Sequence, residues 1–250
     1  MKRKIGFKND QEGMAKRYIS ERENWEVHLS NTKRFITDCL EEHRVKNVSI
    51  MGSGWLLDVP VSYLSDNPDK VVFYDIRHPG QIIHRYGEQS NFHFVEIDLT
   101  GGVIDYLLRL KTITGEDIIR LNESLSRSGF FLPYKTDYLV SVNLLNQLDI
   151  LVADYLEKTN KITKKKMITT IRSIIQENHL RLLKTLPSCM VTDYEKVSLN
   201  ENGVPVKCKS LIYCNIPHDK VVKEWEWDFD MNKNYDPGYN TRMRVMAVKI

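Results

Sequence analysis

The chain has 250 residues, of which 42% are hydrophobic and 28% charged, as in soluble globular proteins. Lys and Arg number 36 and Asp and Glu 33, so the net charge of +3 does not indicate nucleic acid or an anionic membrane as a partner. No apolar run approaches the ~18 residues of a spanning helix, and the basic N-terminus lacks the apolar stretch of a signal peptide. The four cysteines form no CxxC pair or zinc-site spacing. These features predict a cytoplasmic protein without a metal site.

Residues 10–44 carry no strand signal. Apolar side chains, among them Tyr18, Trp25 and Phe35, recur near helical spacing between many charges. This pattern predicts one or two amphipathic helices.

From residue 45 onward, short β-rich runs alternate with helical patterns. The predicted strands cover 45–51, 71–74, 92–97, 138–142 and 189–192, and the predicted helices cover 56–64, 104–125, 144–156 and 164–186. This alternation predicts βαβ units and an α/β fold with a doubly wound, mainly parallel sheet.

The C-terminal segment departs from that alternation. Residues 225–229 and 242–250 both read as strands, and the turn-rich stretch 232–238 separates them. Because no helix fits between the two strands, they are predicted to form an antiparallel hairpin.

Polar or glycine residues end four of the predicted strands, where open α/β sheets bind their ligands. Gly52 and Gly54 flank Ser53 after the first strand, and Asp75 lies 21 residues after Gly54. That spacing suits a carboxylate that binds both ribose hydroxyls of an adenosine. GxG alone would indicate only a tight turn, but the addition of Asp75 and Asp98 at the next two strand ends predicts a nucleoside pocket. Asn143 ends a fourth strand at the same edge.

The glycine turn does not suit a dinucleotide. Leu57 occupies the third glycine position of a GxGxxG fingerprint, and no GxxxxGK[ST] motif is present. The turn carries Asp58 rather than a basic residue. A carboxylate there favours a cation, and S-adenosylmethionine has an ammonium and a sulfonium but no phosphate.

Four segments resemble motifs of class I, Rossmann-like S-adenosylmethionine-dependent methyltransferases. Residues 48–60 resemble motif I, 71–75 the second strand with its ribose-binding acid, 94–99 the third strand with its adenine-binding acid, and 140–145 motif IV. The resemblance implies a seven-stranded sheet with a C-terminal antiparallel hairpin over 45–250, and a helical cap over 1–44 that closes the pocket. It assigns the cofactor to Gly52, Ser53, Gly54, Asp58, Asp75, Ile76, Asp98, Leu99 and Asn143.

Two positions depart from that family. Ile50 stands where an acid commonly binds the methionine ammonium, and Leu56 stands where the family has a third glycine. Asp58 is the proposed substitute for the missing acid, with N-capping of the following helix as the alternative.

The acceptor is expected to be a small molecule, because motif IV lacks the Asn-Pro-Pro-aromatic form of nucleic-acid and protein-glutamine methyltransferases. Through the cap, the resemblance makes Tyr18, Trp25 and His28 possible substrate contacts. A packing role for Trp25 and a surface position for His28 are the alternative. Asp193 at the end of the fifth strand is either a base or substrate contact, or a strand cap. No catalytic residue is identified.

Two other functions stay open. A NAD(P)-dependent oxidoreductase on a similar sheet would need the third glycine and a turn compatible with phosphate. A non-catalytic S-adenosylmethionine-binding protein is compatible with the altered motif I. The oligomeric state is not predicted.

Overall fold

A computed structural model describes residues 7–128, 132–159, 161 and 164–250, with side chains from residue 11 onward. The first six residues of the predicted cap lie outside the described residues. The helices are α1 Phe7–Ser20, α2 Arg22–Glu42, α3 Val61–Asp66, α4 Gly80–Tyr86, α5 Val103–Arg109, α6 Gly115–Ser128, α7 Gln147–Lys158 and α8 Lys165–Leu183. The strands are β1 Asn47–Met51, β2 Lys70–Asp75, β3 Phe92–Glu96, β4 Tyr138–Val142, β5 Ser188–Leu199, β6 Pro205–Ser210, β7 Val221–Asp230 and β8 Asn240–Lys249.

The strands form one sheet in the order β3-β2-β1-β4-β5-β8-β7, and β6 pairs with β5 outside this path. The first five strands pair in parallel. β8 runs antiparallel to both β5 and β7. The predicted α/β fold, with its mainly parallel sheet and C-terminal hairpin inside that sheet, is therefore confirmed.

The sheet has eight described strands rather than the seven expected. The additional strand, β6, pairs antiparallel with the C-terminal half of β5, beyond the point where β4 ends. All six β6 residues are exposed, and the segment contains a proline and two lysines. Val206 and Cys208 alternate with Lys207 and Lys209, but the run is short and begins with Pro205, and these features of an exposed edge strand do not separate it from a loop in the sequence.

Two predicted helices differ from the structure. The segment 104–125 is divided into α5 and α6 by residues 110–114. The helix predicted over 56–64 begins only at Val61, with Pro60 as its N-cap residue. Leu56 has a left-handed φ of 56°, which cannot continue into a right-handed helix.

Buried side chains cover both faces of the sheet, as parallel sheets require. Ile50 and Phe73 belong to one apolar cluster, together with α2 and α3 residues. Met51 and Tyr74, their neighbours along the strands, belong to the cluster that includes α5 to α8. Alternate side chains therefore point to opposite faces, and the carboxyl ends of β1, β2, β3 and β4 lie at one edge. In the described ranges, no helix is long and apolar enough to cross a membrane.

The turn after β1 requires glycine for two separate reasons. Gly52 has a φ of 79°, and a Cβ there would lie 2.7 Å from the Val142 carbonyl oxygen and 2.8 Å from Leu144 Cβ. Gly54 has a φ of 42°, but a Cβ there would meet no atom within 4 Å. Gly52 is thus confined by both conformation and space, whereas Gly54 borders open space.

We predict that Gly52→Ala lowers the free energy of unfolding by about 2–4 kcal/mol, through the positive φ and the overlap with β4 residues. Gly54→Ala, the matched control, should lose only about 1 kcal/mol, the conformational part alone. Urea unfolding of both variants measures the difference. Equal losses would contradict the close packing assigned to Gly52.

Candidate functional site

A cavity lies at the carboxyl edge of the parallel strands, beneath α1 and α2. The sheet side of its wall contains all nine residues assigned to the cofactor from the sequence: Gly52, Ser53, Gly54, Asp58, Asp75, Ile76, Asp98, Leu99 and Asn143. The helical side contributes Gln11, Met14, Trp25, His28 and Leu29. All nine therefore share one cavity, whose wall also includes Trp55, Leu57, Thr100, Ile104, Val142 and Leu144.

A hydrogen bond joins the glycine turn to the end of β2. The Gly54 amide donates to Asp75 Oδ2 at 2.8 Å, and the Gly52 amide donates to the Tyr74 carbonyl at 3.0 Å. Burial raises the pKa of the Asp75 carboxyl, although the Gly54 amide opposes that effect. The second oxygen, Oδ1, has only a long contact of 3.4 Å with the Arg77 amide and can accept further donors.

Asp98 lies two residues beyond β3 on the same edge. Its Oδ1 accepts hydrogen bonds from the Thr100 amide at 2.9 Å and the Thr100 hydroxyl at 2.6 Å. These bonds hold the loop that leads into α5, and Leu99 and Thr100 join Asp98 in the cavity wall. The loop therefore presents a carboxylate and an apolar side chain to the same space.

Asp58 does not cap a helix, because Pro60 is the N-cap residue of α3 and no side-chain hydrogen bond caps that helix. Instead Asn143 Nδ2 donates to Asp58 Oδ2 at 2.6 Å. Asn143 follows β4 with a φ of 45°, which turns its side chain across the site. Burial raises the pKa of the Asp58 carboxyl, and the bond from Asn143 opposes this rise. The capping interpretation of Asp58 was therefore wrong.

His28 is buried rather than at the surface, so the surface interpretation was also wrong. Its ring stacks on Trp227 with the centroids 3.9 Å apart. The Trp225 indole lies with Nε1 3.2 Å from His28 Nδ1 and can only donate, so Nδ1 accepts and the ring proton lies on Nε2. Asn143 Nδ2 lies 3.1 Å from His28 Nε2, but both atoms are donors and Nδ2 already donates to Asp58, so α2 approaches the sheet edge here without a hydrogen bond. Burial lowers the pKa of His28 to about 3, so its ring is neutral at pH 7.

The four candidate substrate contacts lie in different places. Trp25 and His28 line the cavity, and Trp25 also packs in the core, where its Nε1 donates to the Phe229 carbonyl at 2.9 Å. The structure does not bring Tyr18 into this cavity; it lines a separate surface cleft, with its ring 5.8 Å from that of Trp25. Asp193 lines a second cavity beside the first.

Sequence reasoning missed the wall residues that come from α7 and β7. Gln147, Leu148 and Leu151 lie in the first turns of α7, and Trp227 lies on β7. In the sequence, Trp227 was placed only on the strand predicted over 225–229. The only available signal was its alternation with Trp225, which indicates one sheet face but not which cavity that face borders.

No protein-family description and no curated protein matches this chain. Similar solved structures include the N-methyltransferase NodS from Bradyrhizobium japonicum WM9 in complex with S-adenosylhomocysteine, at 10% identity over 88% of this chain and 85% of that chain, with a TM-score of 0.41. Another is the Burkholderia thailandensis 1,6-didemethyltoxoflavin-N1-methyltransferase, at 10% identity over 96% and 86%, with a TM-score of 0.43. A third is the DhpI–SAH complex, at 11% identity over 94% of both chains, with a TM-score of 0.35. At this level of similarity, the fold rests on the sheet topology described above, and the function must be argued from the site.

Two buried carboxyls have similar pKa values and different surroundings. Burial raises the pKa of Asp193 to about 6, and the nearby charge of Asp58 adds to the rise. Burial also raises the pKa of Asp149 to about 6, although that residue is paired with the buried Arg172. Asp193 accepts a hydrogen bond from Asn146 Nδ2 at 2.7 Å.

We predict that Asp193→Asn stabilises the protein above pH 6. In the folded wild-type protein the pKa of Asp193, about 6, exceeds the ordinary value of 3.8. The stability that the wild-type protein has below pH 3.8 is therefore lost as the pH rises through about 6, because the buried carboxyl must ionise. At pH 8 the variant should gain roughly 1–3 kcal/mol, because it has no buried charge to form. Asp149→Asn should instead lose about 3–5 kcal/mol, since it leaves the Arg172 charge unpaired. Urea unfolding at pH 4 and pH 8 measures both, and a destabilised Asp193→Asn protein at pH 8 would contradict the assignment.

Proposed function

We propose that the chain binds S-adenosylmethionine in the cavity at the sheet edge and transfers its methyl group to a small molecule. The observation that carries this proposal is the charge of the wall. Asp58, Asp75 and Asp98 line the cavity, and no lysine or arginine occurs among its described lining residues. The charge of Lys33 acts on Asp58 from outside the lining, but the lining itself is acidic. An acidic wall attracts a cation and repels a pyrophosphate, so it disfavours a dinucleotide and suits a sulfonium with an ammonium.

The end of β2 suits the ribose of the cofactor. Asp75 has one oxygen engaged by the Gly54 amide, and its other oxygen can accept from the ribose hydroxyls. Asp98, on the adjacent strand end, is the proposed partner of the adenine amino group. Gly54 supports close approach of the nucleoside, because the space beyond its Cα is open.

The turn after β1 suits the methionine part of the cofactor. Asp58 is the proposed partner of the ammonium, since Ile50 cannot bind a charge. Two buried polar atoms beside it, Asn143 Oδ1 and Ser53 Oγ, have no hydrogen-bond partner within the described part of the chain. Buried polar atoms are normally paired, so such atoms in a cavity wall support a polar ligand.

When bound, S-adenosylmethionine supplies a methyl group already activated by the sulfonium. The protein then contributes mainly position and exclusion of water. We propose residues 1–44 as a cap and 45–250 as the cofactor-binding domain. Trp25 and His28 of α2 cover the cavity beside Asn143, which supports the cap. The confined space beneath these helices supports a small-molecule acceptor.

The proposal is tested by calorimetric titration of S-adenosylhomocysteine and NADP into the purified protein. S-adenosylhomocysteine should bind and NADP should not. Asp75→Ala should weaken S-adenosylhomocysteine binding by about 1.5–3 kcal/mol, the range for hydrogen bonds to a charged group. Asp69→Ala, at an exposed position before β2, is the control and should bind normally. Binding of NADP in preference to S-adenosylhomocysteine would overturn the proposal, and normal affinity of a folded Asp75→Ala protein would overturn the ribose assignment.

A second prediction concerns the ammonium. Asp58→Asn keeps an oxygen for Asn143 but removes the charge, so S-adenosylhomocysteine should bind about 10–150-fold more weakly. Methylthioadenosine, which lacks the amino acid part, should bind both proteins equally. The raised pKa of Asp58 adds a pH dependence: wild-type affinity should fall as acidification protonates the carboxyl, while the variant should keep only the weaker dependence that comes from Asp75. If Asp58→Asn weakens the binding of S-adenosylhomocysteine and methylthioadenosine equally, Asp58 shapes the turn and does not bind the ammonium.

A further inference from the structure

A second cavity, of about 240 Å³, adjoins the proposed cofactor cavity. Both are lined by Met14, Gln147, Leu151 and Trp227, so the two cavities share a border at these residues. The second cavity is further bounded by Arg17 of α1, Asn146 before α7, and residues of β5, β7 and the β7–β8 turn. It therefore lies on the cap side of the cofactor cavity, where a second molecule could approach the first.

Four residues of this wall carry buried polar atoms that have no hydrogen-bond partner in the part of the chain described. Arg17 Nε and Trp227 Nε1 are donors, whereas Asn146 Oδ1 and Asp193 Oδ1 are acceptors. Buried polar atoms normally have partners, and their concentration around one small cavity indicates a ligand with both acceptors and donors.

Opposite charges stand on the wall without pairing to each other. Arg17 and Asp193 are the charged residues among the described lining, and no ion pair between them is present. The Arg17 guanidinium lies over the rings of Phe229 and Tyr235, 4.7 and 4.9 Å from their centroids. Asp193 is only 6% exposed. A guanidinium held against two rings is available to an anion, and a buried carboxylate is available to an N–H.

Apart from Asn146 and Gln147, the rest of the described wall is mainly apolar, and three of its side chains are aromatic. Trp227 and Phe229 meet edge to face with centroids 4.8 Å apart, and Phe229 meets Tyr235 in the same way at 5.0 Å. Aromatic and aliphatic walls with a few convergent polar groups are typical of sites for compact ring compounds.

We propose that the second cavity holds the methyl acceptor, and that this acceptor is a compact aromatic amine bearing an anionic group. The anion lies against Arg17, the ring lies among the aromatic side chains, and the amine N–H faces Asp193. This inference rests on the proposed methyl transfer and adds the substrate class and the group that accepts the proton.

In the proposed methyl transfer, Asp193 is the general base. The amine lone pair forms the N–CH₃ bond, the S–CH₃ bond breaks, and its electron pair neutralises the sulfonium. The amine proton passes to the Asp193 carboxylate, which later releases it to water. Asp193, with a pKa near 6, is ionised at pH 7 and basic enough to accept a proton.

Three probes separate these contacts in protein saturated with S-adenosylhomocysteine. Anthranilate has both the amine and the carboxylate, benzoate lacks the amine, and aniline lacks the carboxylate. Arg17→Gln should weaken anthranilate and benzoate about tenfold or more and leave aniline unchanged. Asp193→Asn should weaken anthranilate and aniline but not benzoate. Arg22→Gln, at an exposed position on α2, is the matched control and should change nothing.

Turnover with S-adenosylmethionine and anthranilate, followed by mass spectrometry, tests the proton transfer. The wild-type rate should rise with pH to a plateau with an apparent pKa near 6, and Asp193→Asn should be slower without that rise. The charge of Asp58 raises the pKa of Asp193, so Asp58→Asn should retain the rise but move it to lower pH. Arg17→Gln, which removes the proposed contact with the anion, should change mainly KM.

The outcomes separate this inference from the proposed function. If S-adenosylhomocysteine does not bind, the proposed function fails. If it binds but no probe does, or the probes bind equally to all variants, the acceptor class is wrong and cofactor binding stands. A pH profile unchanged by Asp193→Asn would overturn the role of Asp193 as base.

Discussion

Parallel pairing of β1 with both β2 and β4 is the constraint on which the rest of the site depends. It aligns Met51 with Tyr74 and Ser141, so the residues that follow these strands emerge at one level of one sheet edge. The Gly54 amide then reaches the Asp75 carboxylate from the neighbouring strand. Since like charges on a shared wall repel, the acids at this edge favour a bound cation, and the electrostatic preference of the cavity follows from the strand order.

The C-terminal hairpin links this edge to the N-terminal helices. Trp25 donates to the Phe229 carbonyl, and Glu21 accepts from the backbone amides of Met231 and Asn232, both at 3.1 Å. Trp227 stacks on His28, which in turn approaches Asn143 at the end of β4. The two ends of the chain thus hold each other over the cavity. A change in the hairpin would therefore alter the roof of the site as well as the sheet.

The buried acids that border the two cavities lower the stability of the folded protein when they ionise. Asp149 has a guanidinium partner and joins α7 to α8, whereas Asp58 and Asp193 accept side-chain hydrogen bonds from Asn143 and Asn146, and the charge of Asp58 raises the pKa of Asp193. Ionising such groups away from water lowers stability unless a ligand supplies the missing charge. A buried acid that lowers the stability of the fold and also lines a cavity can gain a favourable interaction when a ligand of opposite charge binds there.

Alternating short strands and helices, together with the Gly52 to Gly54 turn and the acids spaced after it, sufficed to predict the parallel sheet, its closing hairpin and one wall of the cavity. These features are local, because strand periodicity and turn chemistry depend on neighbouring residues. Only the tertiary structure decided the rest: the edge strand β6, the burial of His28, the partner of Asp58, and the placement of Arg17 and Asp193 on the wall of one cavity. Those depend on contacts between residues far apart in the chain, and pairings at such separations leave no periodic trace in a single sequence.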